Sequence, residues 1–272
     1  MVYVAGIDIG STQAKGVILD EQGSIVGQAI LDMETNMGTA AETVFQRVLV
    51  VAQLGAADIA FTVATGYGRY RVTFGDQQVT EISCHARGAV AEFPGTRTVL
   101  DIGGQDTKAI RIGGAGEVTD FSMNDKCAAG TGRFLGAASF ALELPLSELG
   151  PLALKSTMPV KITTTCTVFA ETEIIGHLAK GHRPEDVLMG MHHSIATRCA
   201  SLVRRVGLVP EVTFTGGVSR NLAMVALLEE VLGTPLNVSS QSQFMGAIGA
   251  GLYALDHVHA GRQSQHGEEA VR

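Results

Sequence analysis

Two short stretches place a cysteine just ahead of what reads as a helix: NDKCAAGTGRFLG (residues 124–136) and TTTCTVFAETEII (residues 163–175). A thiol at a helix start meets unpaired N–H donors and the positive end of the helix dipole, which favours thiolate, the form that attacks electrophiles and binds metals. Cys127 and Cys166 lie 39 residues apart with no C-x-x-C anywhere, which excludes a zinc ribbon or a ferredoxin-type run. Cys84 in EISCHARG and Cys199 in ATRCASL sit within ordinary helical patterns and read as core residues. Plain burial, a catalytic thiol and metal ligation all remain open for Cys127 and Cys166 on spacing alone. If they ligate iron, two thiolates per chain fall short of the four that a cubane cluster takes, and a two-fold dimer sharing one cluster is the simplest completion.

A second constellation suits phosphate. GIDIGSTQAKGVIL, from Gly6, aligns without a gap on VLDIGGQDTKAIRI, from Val99, so that Asp8, Gly10 and Lys15 fall on Asp101, Gly103 and Lys108 at one offset of 93 residues. Each stretch reads as a strand, a tight turn and a strand. Glycines at such a turn let the backbone approach an anion, Ser11 and Thr12 add hydroxyl donors, and Lys15 and Lys108 add positive charge. Asp8 and Asp101 are hard oxygen ligands suited to Mg²⁺ through water. Gly104, Gln105 and Asp106 follow the second turn, and Gln105 and Asp106 are the candidates for positioning a hydrolytic water. Glu171 and Glu173, on the Cys166 helix, are alternatives for that task. Gly130, Thr131 and Gly132 would let a phosphate touch the Cys127 turn, and Gly216 and Gly217 in TFTGGVSRN would let a flat base or ribose lie on the backbone. Neither G-x-x-x-x-G-K-[ST] nor a strand-linked G-x-G-x-x-G is present.

The elements that must position these residues alternate strand and helix. VYVAGIDIG, KGVILD and SIVGQAIL read as strands, MGTAAETVFQRVLVVAQLG as a helix, DIAFTVATG as a strand and EISCHARGAVAEF as a helix. The strand pattern then restarts at TRTVLDIGG, which predicts duplicated domains: residues 1–95, and residues 96–256 carrying both cysteine helices, with the terminal helix free to pack back on the first domain. Residues 257–272 are polar without periodicity and read as a tail. The 272 residues are 46% hydrophobic and 17% charged, with a formal charge of −7 and no Lys/Arg-rich run. That composition describes a globular chain and argues against nucleic acid or a membrane surface as partner. No leader and no apolar run of membrane-spanning length is seen, so a cytoplasmic location is expected.

DIGST, DIGGQD and TGGVSRN together resemble the superfamily of actin, sugar kinases and chaperone ATPases. The resemblance implies an α/β fold of two ribonuclease-H-like (actin-like ATPase) domains with a nucleotide cleft between them. ATGYGR, SCHARGA, DIGGQDTK, NDKCAAGTGRFL and TTCTVFAETEII, in this order, resemble over most of residues 4–254 the ATP-dependent activators of 2-hydroxyacyl-CoA dehydratases and the related ATPase subunits of benzoyl-CoA reductase. That resemblance implies ATP/ADP with Mg²⁺, and a [4Fe–4S] cluster held between two subunits by Cys127 and Cys166 of each. It further implies a homodimer or a hetero-oligomer with a related ATPase subunit, ferredoxin or flavodoxin as electron donor, and an acyl-CoA dehydratase or reductase as acceptor. A small-molecule (amino sugar) kinase of the same superfamily is the rival reading.

Overall fold

The computed structural model describes residues 1–33, 36–162 and 167–269. The chain divides into two compact units: residues 1–92 joined by the C-terminal segment from Phe244, and residues 93–243.

The first unit contains β1 (Tyr3–Ile9), β2 (Gln13–Asp20), β3 (Ile25–Asp32), α1 (Met37–Ala52), β4 (Ile59–Thr65), β5 (Gln77–Gln78) and α2 (Glu81–Glu92). Its sheet runs β3-β2-β1-β4-β5, antiparallel among the first three strands and parallel from β1 to β4 and β5. Alternate β1 residues face opposite ways. Ala5, Ile7 and Ile9 join Ala41, Val44 and Val48 of α1, while Val4 joins a second core on the other face. A strand covered on both faces therefore reads as an almost unbroken apolar run. Asn36 starts α1 by accepting a hydrogen bond from the Thr39 amide at 2.9 Å.

The second unit repeats this plan with β6 (Thr98–Ile102), β7 (Thr107–Ile112), β8 (Val118–Asn124), α3 (Gly132–Leu142), α4 (Leu146–Ala153), α5 (Thr167–Ala179), α6 (Pro184–Val206), β9 (Val212–Thr215), α7 (Leu222–Leu232) and β10 (Leu236–Asn237). Its sheet order is β10-β9-β6-β7-β8, with the same parallel and antiparallel pairings. The duplication read from the two hairpins thus extends to every strand of both sheets. The β8 strand has no counterpart among the sequence expectations. Its sequence VTDFSMN lies at an exposed sheet edge and shows no apolar alternation.

The C-terminal helix α8 (Met245–Glu269) belongs to the first unit, where it packs on β1, β2, β4 and α2. Ala247, Ala250, Ala254 and Leu255 supply its buried face, and Gly249 lies directly against the Cys84 carbonyl. The second domain therefore ends at Gln243 rather than 256, and the first recovers the chain's end. The polar run expected as a tail is helical through Glu269. Once a helix is nucleated, each further residue adds a backbone bond at small entropic cost, so it continues without an apolar stripe to announce it. Among the described residues no helix is long and apolar enough to cross a membrane.

Candidate functional site

In the first unit the site starts from strand register. Asp8 stands opposite Lys15 across the β1–β2 ladder and beside Thr65 on parallel β4. The amide of Gly10 donates to the Gln13 carbonyl at 3.0 Å and closes a turn with Ser11 and Thr12, both half-buried, at its tip. Asp8 is 5% exposed, with the Lys15 ammonium 3.8 Å from its Oδ2. Gly66, the residue after β4, has φ +86, and a Cβ there would press on Asp8 Oδ1 and lie 2.6 Å from the Ile9 carbonyl oxygen. A Cβ at Gly246, in the first turn of α8, would lie 2.9 Å from both Asp8 Oδ2 and His85 Nε2. The Lys15 ammonium, the glycine after β4 and the first turn of α8 thus all come close to one carboxylate.

The second unit reproduces the pattern with tighter bonds. Asp101 is opposite Lys108 and beside Thr215. Thr215 Oγ1 donates to Asp101 Oδ1 at 2.9 Å, and Lys108 Nζ lies 3.2 Å from Asp101 Oδ2 and 2.9 Å from Asp106 Oδ2. The Gly103 amide donates to the Asp106 carbonyl at 3.0 Å. Gly216, with φ +87, is the counterpart of Gly66: a Cβ there would meet the Ile102 carbonyl and lie 2.8 Å from Asp101 Oδ1. Only glycine combines this backbone conformation with so close an approach. Gly217 opens the 3₁₀ turn that follows, and Asn221 caps α7 by accepting from the Met224 amide at 3.1 Å.

Lys108 was expected to carry free positive charge toward phosphate. It is instead held between two carboxylates and is 2% exposed, so its charge is already matched. Thr131, expected beside phosphate, is fully buried. Its hydroxyl lies 2.6 Å from the Ala128 carbonyl and 3.0 Å from that of Gly104. The Gly132 amide donates to Gly103 at 2.8 Å and the Arg133 amide to Gly104 at 2.9 Å. The start of α3 is therefore fastened onto the second hairpin. Gln105 joins the same junction: its amide end lies against the Arg133 guanidinium, and in the orientation that pairs donors with an acceptor its Oε1 accepts from Nε at 3.2 Å and Nη2 at 2.7 Å.

Cys127 does not head a helix. It lies on the loop between β8 and α3, ahead of the Thr131 cap, because Gly130 with φ +87 breaks the chain before the helix begins. The dipole effect fades within a turn and does not reach it at full strength. The loop is ordered by other means. Asn124 Nδ2 donates to the carbonyls of Cys127 at 2.8 Å and Ala129 at 3.0 Å, and Thr107 Oγ1 donates to the Gly130 carbonyl at 2.7 Å. The Cys127 residue is exposed. Cys166 lies outside the described residues, and α5 opens at Thr167, the residue after it. Cys84 and Cys199 are buried, and burial pushes both thiols up to about 12, which suits inert core residues.

Of the other candidates, Glu173 lies 4.0 Å from His177 one turn along α5, both side chains mostly buried. His192 is fully buried in α6, with Nδ1 2.7 Å from the Leu188 carbonyl and Nε2 3.0 Å from Asn221 Nδ2, a satisfied core histidine. Sequence reading missed Thr65, Gly66, Thr215, Arg133 and Gly246. The pairs Thr65–Gly66 and Thr215–Gly216 were legible as repeated strand ends in VATG and FTGG. The placement of Gly246 beside Asp8 depends on the return of the far end of the chain.

The sequence model of the BadF/BadG/BcrA/BcrD ATPase family matches residues 5–254. The chain is 46% identical over 254 residues to the (R)-2-hydroxyglutaryl-CoA dehydratase activating ATPase of Acidaminococcus fermentans, covering 93% of this chain and 97% of that one. It is similar at 31% identity to a benzoyl-CoA reductase subunit of Thauera aromatica, with 97% and 98% covered. Among solved structures, the activator of the 2-hydroxyisocaproyl-CoA dehydratase from Clostridium difficile with bound ADPNP matches with a TM-score of 0.92 at 42% identity, covering 97% of this chain and 98% of that one. The chain belongs to the BadF/BadG/BcrA/BcrD ATPase family, and its two-unit α/β architecture is the actin-like ATPase fold.

Proposed function

We propose that this ATPase is a homodimeric iron–sulfur activator that passes single electrons to a 2-hydroxyacyl-CoA dehydratase. Asp8 and Asp101 hold Mg²⁺ through water. The turns at Gly10 and at Gly103–Gly104, with the Ser11 and Thr12 hydroxyls and Lys15, receive the phosphates, while Gly216 and Gly217 bear the ribose and base. Gln105 and Asp106 orient the water that converts ATP to ADP and phosphate. Lys108 neutralises Asp101 and fixes Asp106 rather than touching nucleotide.

The donor set fits a shared cluster. Cys127 offers an exposed thiol on an ordered loop, and with Cys166 one chain would supply two of the four thiolates a cubane cluster takes, which two copies would complete. Cys127 and Cys166 would hold a [4Fe–4S] cluster there, which would supply one-electron carrier chemistry between a reduced ferredoxin or flavodoxin and the dehydratase. The observation that carries the reading is the unbroken hydrogen-bonded path from hairpin to cysteine loop. Gly103 and Gly104 hold the start of α3, and Thr107, on the same hairpin, holds Gly130 three residues from Cys127. Such a path lets nucleotide state act on the thiolate's surroundings.

Anaerobic purification tests this. The expected protein is coloured, and Cys127→Ser and Cys166→Ser each lose iron while still binding ADPNP. A colourless, iron-free protein that phosphorylates an amino sugar would establish the kinase instead.

A further inference from the structure

We infer that Arg133 is a positioning residue for ATP hydrolysis: its guanidinium fixes the Gln105 amide so that the amide nitrogen faces the reacting phosphate and water. This rests on the proposed role of Gln105 in orienting the hydrolytic water.

With the Gln105 amide turned so that its oxygen rather than its nitrogen faces the guanidinium, the orientation that pairs donors with an acceptor, both N–H donors of the fork, Nε at 3.2 Å and Nη2 at 2.7 Å, fall on one amide oxygen. A carboxamide whose oxygen is taken in this way keeps two N–H donors on its other end and presents no acceptor there. Anionic phosphate oxygens and the lone pairs of a water want donors, so the fork selects the useful one of two amide orientations. The charged partner also polarises the amide and strengthens those donors. Without it, rotation by half a turn would offer the oxygen to a phosphate and repel it.

The placement of Arg133 supports a task beyond folding. It is an exposed cation in the first turn of α3, where the helix dipole disfavours positive charge. Its own amide bonds to Gly104, the residue before Gln105, at 2.9 Å, so the fork's base and its target move as one piece. Arg133 is also six residues from Cys127 on the same fastened segment, which makes the fork the point where the catalytic amide meets the cysteine loop.

The test is steady-state ATP hydrolysis by the full-length protein carrying Arg133→Ala, Arg133→Lys, Gln105→Ala or both alanine changes. Expected are kcat values lowered about 10- to 100-fold by either alanine change with KM for ATP within about twofold of the parent, since a small misplacement of an orienting group costs about that much. The double variant is expected to be no slower than Gln105→Ala alone, because one residue acts through the other. Lysine, a point charge without a planar fork, restores little. Gln105→Glu separates the two halves of the idea: it keeps a partner for Arg133 but has no N–H donor, and it falls with Gln105→Ala. If Gln105→Ala slows hydrolysis while Arg133→Ala does not, or if the two losses multiply, the positioning role is wrong and the Gln105 assignment survives. If Gln105→Ala leaves hydrolysis unchanged, the Gln105 assignment itself fails and takes this inference with it.

Discussion

Lys108 Nζ lies 3.2 Å from Asp101 Oδ2 across the β6–β7 ladder, whereas Lys15 Nζ stands 3.8 Å from Asp8 Oδ2 at the equivalent place in β1–β2. The two hairpins share a pattern but not an electrostatic state. Lys108 also holds Asp106 at 2.9 Å and is nearly inaccessible, while Lys15 keeps 12% of its side chain exposed. One lysine is a buried counter-ion and the other keeps reach toward solvent.

Replacing Lys108 by Met should therefore act on stability. It leaves Asp101 buried without its cation, and removing one member of such a pair costs about 3–5 kcal/mol. Lys15→Met should shift unfolding far less and weaken ADPNP binding instead. Urea unfolding beside calorimetric titration of both variants separates the two roles, and equal destabilisation would contradict the difference.

Gly66→Ala and Gly216→Ala should each lower stability by more than about 1 kcal/mol, since both glycines have φ near +87 and abut a strand-end carbonyl. Each new methyl would also push on Asp8 or Asp101, so nucleotide affinity should fall together with the melting temperature. Matched losses in the two variants would show that the strand ends are equivalent.

Alkylation should distinguish the cysteines. Iodoacetamide at neutral pH is expected to label exposed Cys127 in the metal-free protein and to spare Cys84 and Cys199 until the chain unfolds. Alkaline pH gives a second readout. The two buried thiols ionise near 12 in the fold against an ordinary value of 9.0, so above 9 the unfolded chain holds fewer protons than the native one. Stability is then complete below about pH 9 and declines as pH rises toward 12. Cys199→Ala should flatten part of that decline in unfolding measured from pH 8 to 11.

His192 should set part of the acid limit. Burial holds its imidazole neutral and lowers its pKa from the ordinary 6.5, so below that value the unfolded chain binds the extra proton and stability falls as pH drops. His192→Leu removes this pH dependence but leaves the Asn221 amide without its acceptor, at a cost of about 1–3 kcal/mol. A variant whose stability at pH 5 falls as steeply as the parent's would assign the acid limit elsewhere.

The fold was readable where periodicity was strong. The duplicated Asp-x-Gly hairpins predicted matched strand registers, and Asp8–Lys15 and Asp101–Lys108 stand opposite each other in both sheets. What escaped was set by distance along the chain or by exposure. The edge strand β8 has too few buried positions to alternate, and Gly246 reaches Asp8 only because α8 returns. For Lys108 and Thr131 the sequence shows groups that could bind an anion, but not the carboxylate and carbonyl partners that they hold within the protein.

The return of α8 also bears on how the molecule is made. Residues 1–92 leave the ribosome well before the helix that covers one face of their sheet, with a self-contained unit of residues 93–243 emerging between them. The unit of residues 93–243 can finish folding during synthesis, whereas the sheet of residues 1–92 waits half-covered until α8 has emerged. A stop codon anywhere before Phe244 would thus cripple the unit built on residues 1–92, far upstream of it.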